Sequence, residues 1–232
     1  MKKLALACIG VLITMSAFTV PVLAGEKVVK RVPAGAVAFH FVADLSYATG
    51  ELVGYIAFIE GVDGPLFAEP INPSPETPLY SKDTAYFTVR ITAPTPWPIP
   101  LPVETGSELS ASLLEPAGAQ ATIYFNANPS SRDWGDPTTF AQGVPIAVIE
   151  ESALLSTRSA GASFNVFSTR LIDSSPISFN GQTIDFKRLV PNGVTITNYT
   201  SPRFVVVDDV VIPAGASFGA TAFAIGGDLR DK

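Results

Sequence analysis

An all-β fold, a single antiparallel β-barrel or β-sandwich of about 10–12 strands, is what this sequence predicts, and three observations predict it. The chain of 232 residues holds 20 Pro, 18 Gly and 15 Phe against 16% charged residues, a mixture that disfavours helices and suits strands. Apolar residues recur with period two in several segments. Gly, Pro, Asn and Ser break the chain at the short intervals expected of a sandwich or barrel.

The chain begins as an exported protein would. Lys2 and Lys3 precede an apolar run from Leu4 to Met15, followed by small residues and Val22-Leu23-Ala24. This predicts a signal peptide over residues 1–24, with cleavage after Ala24 and a single domain over 25–232. Pro21 interrupts the run and Gly25-Glu26-Lys27 turns polar, so a membrane anchor fits poorly. The short, lysine-led signal has a bacterial character, and a secreted or periplasmic location follows from it.

Cleavage would leave 208 residues and remove Cys8, the one cysteine, so disulfides would be excluded and the domain would rest on its core. Without Lys2 and Lys3, 13 basic residues face 21 acidic ones, a formal charge of −8. That balance repels nucleic acid and anionic lipid.

The strands follow in order. Val37 to Leu45 sets Phe39, Phe41, Ala43 and Leu45 on one face, and Thr49-Gly50 turns the chain into Leu52 to Glu60. Thr84 to Thr92 alternates cleanly, with Ala85, Phe87, Val89 and Ile91 on one side. Proline at 94, 96, 98, 100 and 102 predicts either an edge strand blocked against further pairing or a polyproline II strap. Further strands are expected at Glu108–Leu114, Ala121–Asn126, Val144–Glu150, Ala153–Arg158 and Ser163–Leu171. Asn180-Gly181 supplies the two positive φ angles of a type I′ hairpin between Ile177–Phe179 and Gln182–Phe186. Pro191-Asn192-Gly193 leads into Val194–Tyr199, then Arg203–Ile212 and Ser217–Ile225. Three similar stretches, at Pro33-Ala34-Gly35-Ala36, Ala160 to Phe164 and Pro213 to Phe218, read as glycine turns that feed strands rather than as a repeat.

Catalytic signals are scarce. Gly215-Ala216-Ser217-Phe218-Gly219 matches a hydrolase elbow, but no helix follows the serine and the one histidine, His40, precedes it. His40 and Asp44 share a strand face about 13 Å apart, too far for a hydrogen bond. One histidine and no mature cysteine leave no ordinary zinc, haem-thiolate or iron–sulfur ligand set, and no cofactor is expected. Glu150-Glu151 and Asp208-Asp209 are adjacent pairs whose members would project to opposite faces of a strand. Asn198-Tyr199-Thr200 is a glycosylation sequon without a role in a bacterial protein.

The candidate ligand-binding residues are Arg132, Asp133, Trp134 and Asp136, where a guanidinium, an aromatic and two carboxylates gather in one loop. Trp can stack on a sugar or another ring and Arg can fork onto a carboxylate. The plainer alternative is that the aspartates cap turns while Trp134 folds over the core edge.

Three function classes fit. An exported, non-catalytic binding or surface module of unknown partner, a glycan or small apolar ligand among the candidates, leads. A calycin- or lipocalin-like barrel holding an apolar ligand, with or without isomerase or cyclase activity, comes second, and an open interior cavity would separate it from the first. An outer-membrane barrel comes third; the proline-rich segments and the polar end Gly227 to Lys232 weigh against it.

Overall fold

The computed structural model describes residues 26–46, 49–72, 79–92, 101–104, 109–114, 119–159 and 162–226. The signal segment, the prolines from Pro94 to Pro100, and the polar end therefore lie outside the described residues.

The alternating segments become strands, and the strands close on themselves. In chain order they are β1 (Lys27–Val28), β2 (Val37–Ser46), β3 (Leu52–Ile59), β4 (Phe87–Thr92), β5 (Leu101–Glu104), β6 (Leu109–Leu114) and β7 (Gln120–Phe125). After a 3-10 turn at Pro137–Ala141 come β8 (Val144–Ser159), β9 (Ala162–Ser174), β10 (Ile177–Phe179), β11 (Gln182–Ile184), the short helix α1 (Phe186–Leu189), β12 (Val194–Val207) and β13 (Val210–Ala224). Antiparallel pairing runs β8-β7-β4-β3-β2-β13-β12-β9, and β9 pairs back onto β8, so the fold is a closed eight-stranded barrel rather than a sandwich. Closure leaves no open edge within the barrel.

The hairpin of β5 and β6 continues the sheet outside the barrel by pairing with the far half of β8, Leu154 to Ser159. Strand β5, which contains Pro102, is an edge strand, the one part of the proline-alternation prediction that falls within the described residues.

Period-two patterning decides what the barrel encloses. Phe39, Phe41 and Ala43 of β2 and Phe87 and Val89 of β4 are buried inward, as the alternation predicts. The Asn180-Gly181 turn has φ of 51° and 72°, the expected type I′ geometry. The β10–β11 hairpin joins β1 in a small second sheet. Phe179 of that hairpin meets Phe87 at 5.2 Å and Phe125 at 5.8 Å, and Phe186 of α1 meets Phe39 at 6.0 Å, mostly edge to face. These residues all lie toward one end of the barrel, which the small sheet and α1 therefore fill.

Three expectations change. The Arg203–Ile212 segment is not one strand: Asp208 and Asp209, with φ of 50° and 61°, turn the chain between β12 and β13. Aspartate tolerates the left-handed region, which the apolar run around the pair conceals. The Pro213 to Phe218 stretch is not a turn but part of β13, beside a register shift at Arg203/Phe204. A Cβ on Gly215 would meet the Leu45 carbonyl oxygen at 2.2 Å, so close approach to β2 explains that glycine. The expected strands Val144–Glu150 and Ala153–Arg158 also merge into β8, across an irregularity between Glu151 and Ala153.

Candidate functional site: an apolar cavity at the open end of the barrel

The predicted loop residues are in contact with the protein's own backbone. Arg132 is 3% exposed and turned inward, with Nη2 donating to the Ala85 carbonyl at 2.9 Å and Nη1 donating to the Lys82 carbonyl. Its backbone N–H donates to Asp83 Oδ1 at 2.6 Å. Burial lowers the guanidinium pKa, a shift that Asp83 opposes. Asp133 accepts from the Gly135 N–H at 2.8 Å, and Asp136 caps the 3-10 turn by accepting from the Thr138 N–H and hydroxyl at 3.0 and 2.6 Å. Those two bonds from Thr138 hold the Asp136 carboxyl below the usual range. Trp134 stacks on Phe140 with centroids 4.9 Å apart. Arg132 is thus directed away from the two exposed carboxylates, and Trp134 lies half-buried between them and the barrel wall.

The hydrolase-like pentapeptide is equally occupied. Ser217 donates to Asp44 Oδ2 at 3.2 Å on the outer face, and Asp44 also accepts from Arg203 at 2.6 Å. His40 Nδ1 lies 3.0 Å from the Thr221 hydroxyl, its register partner on β13. Thr221 is four residues from Ser217, about 13 Å along the strand, so the imidazole does not reach that serine.

The end of the barrel opposite the small sheet is hollow. A partly open cavity of about 170 Å³ lies there, with Gly50 at its rim and walls that include Phe41, Leu45, Leu52, Phe167 and Phe218. A void of about 20 Å³ lies deeper, near Ile56 and Ile123. Four polar residues of β9 and β12 line the otherwise apolar cavity: Asn165, Thr169, Asn198 and Thr200. Asn165 Nδ2 donates to Asn198 Oδ1 at 2.7 Å and to Thr200 Oγ at 3.0 Å, and Thr200 Oγ donates to Asn198 Oδ1 at 3.2 Å. The Thr169 hydroxyl donates to the Val194 carbonyl at 2.7 Å and accepts from its N–H at 3.1 Å.

Glu151 of β8 is the single titratable residue among the described lining. Its register partner is Thr169, whereas its neighbour Glu150 points outward to Arg170 at 2.8 Å. The expectation that adjacent acids take opposite faces therefore holds for this pair. Desolvation in the apolar wall pushes the Glu151 carboxyl up to about 7.

None of Glu151, Asn165, Asn198 and Thr200 stands out as a site residue in the sequence. The available signal was an apolar strand face that turns polar: Val194, Ile196, Asn198 and Thr200 occupy alternate positions of β12, all buried. Among the described residues, no cluster of His, Cys, Asp and Glu is arranged to hold a metal ion.

Fold and site together define a closed antiparallel β-barrel, filled at one end and hollow at the other. The chain matches no protein family, no curated protein and no solved structure.

Proposed function

We propose that this is an exported binding protein whose barrel holds a small apolar molecule, the calycin- or lipocalin-like reading, rather than a filled barrel acting through its outer surface alone. The apolar cavity of about 170 Å³ at the open end carries the reading. A dry cavity of about 150 Å³ lined by aliphatic and aromatic side chains suffices to take up benzene in another protein, so a ligand of one ring with a short substituent is the right scale. Water in such a space finds few partners, and an apolar ligand gains by replacing it.

The distribution of polarity favours this over a barrel embedded in an outer membrane. Membrane barrels face lipid with apolar side chains and keep a polar interior. Here the enclosed side chains are mostly apolar, with polar ones confined to Glu151, Asn165, Thr169, Asn198 and Thr200 among the described cavity lining, and Arg90–Glu51 and Arg170–Glu150 ion pairs stud the barrel strands and their turns.

The test is native mass spectrometry of the protein purified from its own host, followed by organic extraction and by titration with toluene and indole. The expected result is a releasable apolar molecule, or uptake of both probes that Ala121→Phe abolishes by filling the cavity. A clean apo mass with no uptake of either probe would overturn the proposal and turn attention to the outer surface.

A further inference from the structure

The polar groups in the cavity walls specify the polar groups of a ligand that would fit there. Glu151 faces the cavity without a hydrogen bond or ion pair to its carboxylate among the described residues. Nearby cations are committed elsewhere: Arg90 to Glu51 at 2.6 Å, Arg170 to Glu150 at 2.8 Å and Arg203 to Asp44 at 2.6 Å. Thr169, directly across the β8–β9 pair, spends its hydroxyl on the Val194 backbone. The walls contributed by β2, β3, β4, β7, β12 and β13 bring no other titratable group to the described lining. An ionised carboxylate so placed lacks a counter-charge, and a ligand ammonium supplies one.

The second polar pole lies on β9, farther along from Thr169, and on the neighbouring β12. Both amino protons of Asn165 and the hydroxyl proton of Thr200 are used within the cluster. The Asn198 amino group and the Asn165 carbonyl oxygen stay uncommitted, one donor beside one acceptor, the complement of a hydroxyl group. Thr169 and Asn165 are four residues apart on β9, about 13 Å, and side chains reaching in from both positions leave room for one ring and a two-carbon arm.

We infer that the cavity is built for a small apolar amine with a hydroxyl at its far end, Glu151 binding the ammonium and the Asn165–Asn198–Thr200 cluster the hydroxyl. The assignment rests on the ligand-holding reading and narrows it to a chemical class. Because burial pushes the Glu151 carboxyl up to about 7, amine binding strengthens as pH rises through neutrality, when the carboxylate forms.

Tyramine and 4-propylphenol, which differ by an ammonium in place of a methyl group, test it by calorimetric titration. At pH 8 tyramine should bind the wild-type protein roughly tenfold or more tightly than 4-propylphenol, the factor equivalent to one unit of pKa shift. Lowering the pH to 5.5 should erase that preference, and Glu151→Gln should erase it at every pH while 4-propylphenol still binds. Should the variant not fold, the pH series on the wild-type protein decides alone. Equal or tighter binding of 4-propylphenol at pH 8, or a preference that survives Glu151→Gln, would overturn the amine assignment and leave the ligand-holding barrel standing. Binding of neither compound would overturn the amine assignment, and the toluene and indole titrations would then decide the ligand-holding reading separately.

Discussion

Asn165 Nδ2 lies 2.7 Å from Asn198 Oδ1 in the barrel interior, and the two residues are register partners on β9 and β12. A buried amide pair of this kind contributes about 1 kcal/mol net, while an orphaned partner costs about 1–3 kcal/mol. Asn165→Leu and Asn198→Leu should each destabilise the protein by about 1–3 kcal/mol, and the double variant by less than the sum, because no amide is then left unpaired. Urea denaturation of the four proteins in a double-mutant cycle measures the coupling; strict additivity would show that the pair is not energetically linked.

Glu151 makes stability depend on pH in a direction opposite to that of most carboxylates. Its folded-state pKa is raised to about 7 from an ordinary value of 4.5. The native state therefore holds this proton more tightly than the unfolded chain, and the stability gained is fully present below pH 4.5 and lost as pH rises to about 7. Glu151→Gln should match the wild-type protein near pH 4 and exceed it at pH 8 by roughly 1–3 kcal/mol. Thermal melts of both proteins across this range check it, and a constant offset at all pH values would contradict it.

Arg132 braces the loop between β7 and β8 against the segment before β4, through the carbonyls of Lys82 and Ala85. Arg132→Met leaves those carbonyls unpaired and should cost about 2–4 kcal/mol. Arg132→Lys should recover less than half of the loss, since an ammonium lacks the fork that serves two acceptors at once. If lysine restored full stability in a melting experiment, charge rather than geometry would be the brace.

The Asp208-Asp209 turn pairs two like charges at positions of positive φ. Asn-Gly is the preferred occupant of such a turn, so Asp208→Asn with Asp209→Gly should stabilise the hairpin by roughly 0.5–1 kcal/mol. Chemical denaturation reads the change directly, and destabilisation would mean that the carboxylates serve the native hairpin.

Much of the scaffold was legible before the fold. Alternation over Phe39, Phe41 and Ala43 and over Phe87 and Val89 marked inward faces, because a strand has only two sides and one of them must leave water. Asn180-Gly181 marked its turn because few residues accept positive φ. Asp208-Asp209 escaped because a valine-rich run on both sides outweighs a weak turn signal. The capping roles of Asp133 and Asp136 were foreseen as one of two readings, whereas the inward turn of Arg132 depends on carbonyls of Lys82 and Ala85, about fifty residues away.

The sequence by itself determined that this protein is built of strands, where most of them turn, and that no disulfide network or familiar zinc or haem-thiolate ligand set organises it, since these follow from local periodicity and residue inventory. Only the tertiary structure decided that the sheet closes, that one end is filled by Phe179 and Phe186, and that Glu151 faces Asn165 and Asn198 across a hollow. Period two says that a residue points to one side; it does not say whether that side meets a packed core or empty space. That outcome depends on the return of β9 to β8, a pairing that brings β8, β9 and β12 around one cavity.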